Sequence, residues 1–339
     1  MRRLCGSVLA ALAFVSPPSF AQVGAPRTIA AAEVRRLESA LADDSMEGRL
    51  TGAPGGARAA RYIANEMKAI GLRPVGDSTY FQRVPVSVTD SGITLRSSLA
   101  DSAVGKHETA YNLVGLLKGS DPKLAGEIIV VDAHYDHLGI GAPVGGDSIY
   151  NGADDDASGT VSVLAVAKAL AQGVRPKRSI LFVLTTGEEE GLLGTNWLLA
   201  HFPLPFDSVV ANLETEMIGR PDSLAGGPGK AWLTGYDRST MGAILKRAHV
   251  AIVADPRRSQ HFFERSDNIA FAKRGIRAHT LSSFNMHADY HQPSDDVSRI
   301  DFAHMTAVIN SALRAVSLLA NGPLPVWNPG GRPAADGDR

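Results

Sequence analysis

Three apolar runs most constrain what this chain can fold into: GEIIVVDA at 126–133, SILFVLTT at 179–186 and VVANLE at 209–214. Each is short for a helix and too continuously apolar for a strand with one wet face. Each therefore reads as a strand covered on both sides. Helix-patterned segments separate and follow them, at 157–172, 192–201, 240–249, 266–274 and 302–320. A further strand is predicted at 276–283. Upstream, 31–45 and 55–71 read as helices, the second with Ala60, Ile63, Met67 and Ile70 at helical spacing and Gly71 as its stop. Residues 79–119 read as short strands and turns around FQRVPVSV and NLVGLL. Strands alternating with helices predict an α/β fold, a three-layer α/β/α sandwich with a mixed, largely parallel central sheet.

The N-terminus carries the pattern of a cleavable leader over residues 1–21. Arg2 and Arg3 precede an apolar stretch at 4–15, and Ser19 and Ala21 offer small residues for cleavage after Ala21. That predicts a secreted or periplasmic protein. The single cysteine, Cys5, lies inside this leader. Any metal site in the mature chain must then use His, Asp and Glu. No later stretch reads as a membrane span, and a formal charge of -1 gives no reason to expect a nucleic-acid or membrane partner. The expected organisation is one domain over 22–322 and a disordered Pro-, Gly- and Asp-rich tail over 323–339.

Ligands in open α/β sheets gather beyond the carboxyl ends of strands. Beyond the first run stand His134, Tyr135 and Asp136; beyond the second, Glu188, Glu189 and Glu190. The third carries Glu214 and Glu216 into Met217-Ile218-Gly219. Asp154, Asp155 and Asp156 precede the helix at 157, and a late loop holds His287, Asp289, Tyr290, His291 and Asp295. Singly, each has a plainer explanation. Aspartates before a helix cap it, a glutamate run is a solvated face, and a lone His-x-Asp is surface or core. Jointly they crowd like charges that repel one another without a cation, and histidine among carboxylates is a zinc ligand set.

The ordered segments VVDAHYDHLG (130–139), NGADDDASG (151–159), ILFVLTTGEEEGLLG (180–194), NLETEMIGR (212–220), RSDNIAFAKRGI (265–276) and DYHQPSDD (289–296) resemble the two-zinc exopeptidases. That family includes bacterial leucyl aminopeptidase, aminopeptidase Y and the glutamate carboxypeptidases, and the likeness runs over 40–320. It implies a phosphorylase/hydrolase-like fold and two Zn2+ per chain, one held by His134, Asp155 and Glu216, the other by Asp155, Glu189 and His291. Asp155 would bridge the two, and the peptide bond after it is often cis in the family. Glu188 would be the general base. Asp136 would hold the His134 imidazole by a hydrogen bond. Glu216 stands where better-known relatives have Asp, with Glu214 as its competitor, and Asn268 stands where relatives often have His. His287 and Tyr290 are candidate pocket walls, Glu190 a solvated position. His137, His201, His249, His261, His279 and His304 take structural or surface roles.

The activity implied is removal of N-terminal residues from peptides. Three readings compete with it: a carboxypeptidase or dipeptidase using Arg220, Arg257, Arg258 or Arg265 for a terminal carboxylate, a glutaminyl-cyclase-like acyltransferase, and a non-catalytic metal-binding protein. The short span between the strand at 80–88 and Tyr111 leaves no room for an inserted domain. The sequence does not fix residue preference or oligomeric state.

Overall fold

The computed structural model of the chain describes residues 28–100 and 105–335. The leader at 1–21 and residues 336–339 of the tail lie outside them. The strands are β1 (Arg73–Pro74), β2 (Phe81–Thr89), β3 (Gly92–Leu95), β4 (Lys106–Leu117), β5 (Ile128–His134), β6 (Gly139–Val144), β7 (Asp147–Tyr150), β8 (Ser179–Thr185), β9 (Val209–Thr215), β10 (Ala231–Leu233), β11 (Ile252–Ala254) and β12 (Ala278–Ser282). The helices are α1 (Ala31–Leu41), α2 (Pro54–Ile70), α3 (Ser158–Gln172), α4 (Leu193–Ala200), α5 (Met241–Arg247), α6 (Asn268–Lys273) and α7 (Phe302–Asn321).

The main sheet runs in the order β11-β10-β12-β9-β5-β8-β4-β2-β3, with β1 paired to β4. Its centre, β12-β9-β5-β8, is parallel. The flanks turn antiparallel where β4 meets β8, β2 meets β4 and β10 meets β12. Helices cover both faces, as expected of a three-layer sandwich. Ile129, Val131 and Ala133 of β5 point into a core shared with α1, α2, α3 and α7. Ile128 and Val130 point into a second core with Leu198 of α4 and Phe271 of α6. This period-2 alternation on a strand buried throughout explains why the run looked uniformly apolar. Truncating a side chain such as Phe182, fully buried here, would cost about 3–5 kcal/mol.

Helix ends follow local chemistry. Pro54 opens α2, and Gly71 closes it in the left-handed conformation at φ 83°. Asp301 caps α7 by accepting from the backbone N–H of Ala303 and His304.

Two expectations need correcting. Phe302–Asn321 does have the length and apolarity to cross a membrane, yet here it packs as a core helix against α3 and α1. The tail is ordered over 323–335: Val326 exchanges hydrogen bonds with Thr240, and the Trp327 indole N–H donates to the Gly275 carbonyl at 3.0 Å. An apolar anchor outweighs the surrounding Pro and Gly there. The hairpin β6–β7 and the short strands β10 and β11 carried no usable sequence periodicity.

Candidate metal centre

Parallel strands end on the same side, so β9, β5 and β8 deliver their last residues to one place. His134 is the last residue of β5, Glu216 follows β9, and Glu188 and Glu189 follow β8 in the turn before α4. The loop before α3 supplies Asp155, and the loop before α7 supplies His291.

The three consecutive aspartates do three different jobs. Asp154 accepts from the Gly219 N–H at 2.6 Å and from His287 Nε2 at 3.0 Å. Asp156 accepts from the N–H of Gly159 at 2.9 Å and of Met217 at 3.0 Å, which fastens the start of α3 to the end of β9. Only Asp155 turns its carboxylate into the site. Its Oδ1 lies 3.3 Å from His134 Nε2, and its Oδ2 lies 3.1 Å from His291 Nε2. The Asp155–Asp156 peptide bond is cis.

Two ligand groups share that carboxylate. One is His134, Asp155 and Glu216; in the other, His137 joins Asp155 and Glu189, with donor atoms within 4.8 Å of one another in each. His291 Nε2 also sits 3.2 Å from Glu189 Oε2. His137, one of the histidines given structural or surface roles by the sequence, is fully buried, with Nδ1 2.8 Å from Glu189 Oε1. Its place three residues beyond the candidate ligand His134 was the available signal.

Of the two competing glutamates, Glu216 stands by His134 and Asp155. Glu214 is occupied instead, accepting from Ser266 Oγ, Thr280 Oγ1 and the N–H of Asp267 and Asn268. Asn268 is thereby a backbone donor, and its side chain turns to the Phe263 carbonyl. The Asp136 carboxylate is 3.7 Å from His134 Nδ1, whereas its backbone carbonyl is at 3.2 Å. That carboxylate also accepts from the N–H of Glu188 and Glu189, at 3.3 and 3.4 Å. Glu190 is no solvated residue: burial, helped by Asp136, pushes its carboxyl up to about 8.

Distant side chains hold these loops. Arg49, fully buried, donates to the carbonyls of Leu41, Tyr135, Asn151 and Gly152. It thus ties the segment after His134 to the loop before Asp155. Asp295 Oδ2 accepts from the N–H of both Asp154 and Asp155, while its Oδ1 pairs with Arg220 at 2.8 Å. Arg220 also pairs with Asp289, so the loop bearing His291 is anchored to the segment that carries Asp155. Gly152 is required where it stands: at φ 56°, a Cβ would meet the Asp155 carbonyl at 2.2 Å and His137 Cγ at 2.4 Å.

The electrostatics fit a cation. Burial pushes the Glu216 carboxyl up to about 7, and it holds Glu188 well above the usual carboxylate range. Burial also opposes ionisation of Asp155, but His134 and His291 hold its carboxyl well below that range. His134 Nε2, His137 Nδ1, His291 Nε2 and Glu189 Oε1 are all buried and lack any properly directed hydrogen bond. Buried donors left that way beside carboxylates are what metal ligation satisfies.

A cleft opens beside this centre. Asp155, Glu188, Glu189 and Glu216 line its floor. Its wall is aromatic: Trp232 stacks on Phe262, Phe262 meets Phe284 edge-on, and Tyr290 lies against Phe284 and stacks on His291. Tyr290 lines the cleft; His287 does not, being turned to Asp154. Of the four candidate arginines, Arg220 is engaged by Asp289 and Asp295, Arg257 by Asp222 and Arg258 by Asp237. Arg265 alone of the four lines the cleft, its guanidinium 4.9 Å from the centroid of the Phe262 ring.

Residues 112–316 match the model of peptidase family M28. The chain is 29% identical over 246 residues to a probable leucine aminopeptidase 2 of Aspergillus fumigatus, covering 71% of this chain and 45% of that protein. The chain thus spans less than half the length of that relative. Its fold is similar to that of BSAP, a zinc aminopeptidase from Bacillus subtilis, with TM-score 0.64, 15% identity, and coverage of 87% of this chain and 97% of that one. It is similar too to a glutaminyl cyclase of Bacteroides thetaiotaomicron bound to N-acetylhistamine, with TM-score 0.60, 15% identity, and coverage of 86% and 99%.

Proposed function

Because the chain belongs to peptidase family M28, we propose that it is a zinc-dependent exopeptidase that removes N-terminal residues from peptides, with two zinc ions bridged by Asp155. The observation that carries this reading is the division of the Asp155 carboxylate: Oδ1 faces His134 and Oδ2 faces His291. His134 and Glu216 would complete one ligand set, Glu189 and His291 the other. Bound zinc would supply Lewis acidity toward the scissile carbonyl and acidify a water molecule.

The chain's own residues do the rest. The Glu188 carboxylate takes the proton of the attacking water and returns it to the nitrogen of the leaving amine. Its burial raises its affinity for that proton. Asp136 steadies the turn that carries Glu188 through the two backbone N–H groups it accepts. The aromatic wall of Trp232, Phe262 and Phe284 excludes water and suits an apolar side chain at the substrate's N-terminus. The relative described as a probable leucine aminopeptidase supports that preference. The leader pattern at 1–21 supports export to the periplasm or medium.

A carboxypeptidase or dipeptidase keeps one observation in its favour, the placement of Arg265 in the cleft. A panel of apolar dipeptides decides between the readings. An aminopeptidase cleaves those with a free amino group, tolerates a C-terminal amide and stops when the N-terminus is acetylated. Cleavage of the acetylated series, with loss on amidation, would assign Arg265 to a carboxylate and overturn the aminopeptidase reading.

A further inference from the structure

The wall of the cleft holds hydrogen-bond donors that the chain itself does not use. Trp232 lines the cleft, and its indole Nε1 is buried without an acceptor. A buried N–H left that way costs about 1–3 kcal/mol until a partner arrives. Two residues along the same strand face stands Thr234, which also lines the cleft. Its Oγ1 accepts from the Thr280 N–H at 2.8 Å, and its own proton has no acceptor among the described residues. The other hydroxyls of the wall are occupied: Thr280 Oγ1 donates to Glu214 and Ser282 Oγ to the Met217 carbonyl.

Arg265 is the third donor. Among the described residues its side chain makes no ion pair and no hydrogen bond. Arg220, Arg257 and Arg258 each face a carboxylate instead. The Arg265 guanidinium rests against Phe262, the ring that stacks on Trp232. A guanidinium on an aromatic face keeps its N–H edge for an acceptor. The floor of the cleft has the opposite character, because Asp155, Glu188, Glu189 and Glu216 gather there. The positive α-amino group of a peptide belongs with the floor, and an acceptor belongs with the wall.

We propose that the cleft selects peptides whose N-terminal side chain has an apolar stem and an acceptor tip, glutamate foremost. Arg265 determines that preference, and the Trp232 N–H and the Thr234 O–H support it. The proposal rests on the aminopeptidase reading above and specifies its substrate class. The methylenes of the side chain lie along Phe262 and Phe284, and its carboxylate meets donors that are otherwise unsatisfied.

The test compares kcat/KM for peptide amides that differ only in their N-terminal residue: glutamate, glutamine or norleucine. The three side chains are similar in length and differ at the tip. The wild-type enzyme is expected to cleave the glutamyl peptide at least as well as the norleucyl one. Arg265→Met keeps an unbranched stem against Phe262. It should lower the glutamate-to-norleucine ratio about 10–100-fold and move the glutamine-to-norleucine ratio less than about threefold. Trp232→Phe should lower both ratios by about threefold or more, because an N–H serves amide and carboxylate alike. Ratios taken within one variant cancel any general loss of folded enzyme. A wild type that favours norleucine, or an unchanged glutamate-to-norleucine ratio in Arg265→Met, would overturn the proposal and leave the aminopeptidase reading standing. Turnover of the acetylated counterparts alone would overturn both.

Discussion

The two halves of the proposed metal centre are built by different means. In the half containing His134 and Glu216, both residues sit at the ends of neighbouring parallel strands, β5 and β9. Their spacing is inherited from the sheet ladder, and the His134 side chain is fully buried. The half containing Glu189 and His291 is assembled from loops. Its His291 side chain is 32% exposed and is held by a chain of polar contacts through Arg220, Asp289 and Asp295. A site whose geometry comes from a sheet tolerates changes far from it. One whose geometry comes from loops depends on the side chains that tie those loops down.

The largest effect should come from the residue both halves share. Asp155→Ala is expected to abolish tight binding of both ions and to lower turnover more than any other single change. Metal content after dialysis checks this, and two zinc ions retained would dissolve the proposed bridge. Glu188→Gln comes next and should leave both halves intact. Turnover falls about 10²–10⁴-fold with both ions bound, measured as kcat beside metal content.

The contrast between the halves is sharpened by a pair of remote variants. Asp295→Asn leaves every ligand in place but weakens the tie to Arg220, so the ion held by Glu189 and His291 should bind about 10–100-fold more weakly and the other little changed. Arg49→Lys acts on both halves, because one ammonium cannot serve the four carbonyls the guanidinium serves. Leaving buried carbonyls unsatisfied should cost about 1–3 kcal/mol each, read as a lower unfolding midpoint. Equal losses of the two ions in Asp295→Asn would erase the proposed difference between the halves.

The smallest effect lies outside both. His279, on β12, bonds Ser239 and the Thr234 carbonyl, and burial lowers its pKa to about 4. A depressed histidine binds its proton more readily in the unfolded chain, so stability falls as pH drops from 6.5 through 4. The loss reaches about 3 kcal/mol. His279→Gln should flatten that slope in denaturation midpoints taken across this range, without altering zinc affinity at pH 7.

Much of this was legible beforehand, for identifiable reasons. The central strands announced themselves because parallel strands covered on both faces need unbroken apolar runs. Their ends pointed to the site because the chemistry of such a sheet gathers there. The nearness of His137 to Glu189 was not legible because nothing in a sequence tells which way a loop histidine turns. Glu190 reads as solvated in the sequence because a run of acids looks like a surface until Thr51 and Asp136 are placed beside it. Arg49 went unnoticed because its partners are backbone carbonyls, which have no residue signature.

The sequence by itself determined the fold class, the order of the strands that carry the site and the residue types that can ligate there. These follow from periodicity and from side-chain chemistry, which are local. The family resemblance pointed to Asp155 and Glu216, but only the tertiary structure decided what Asp154, Asp156 and Glu214 do instead and which arginine reaches the cleft. Those choices depend on which neighbour satisfies each buried charge, and the neighbours come from segments far apart in the chain.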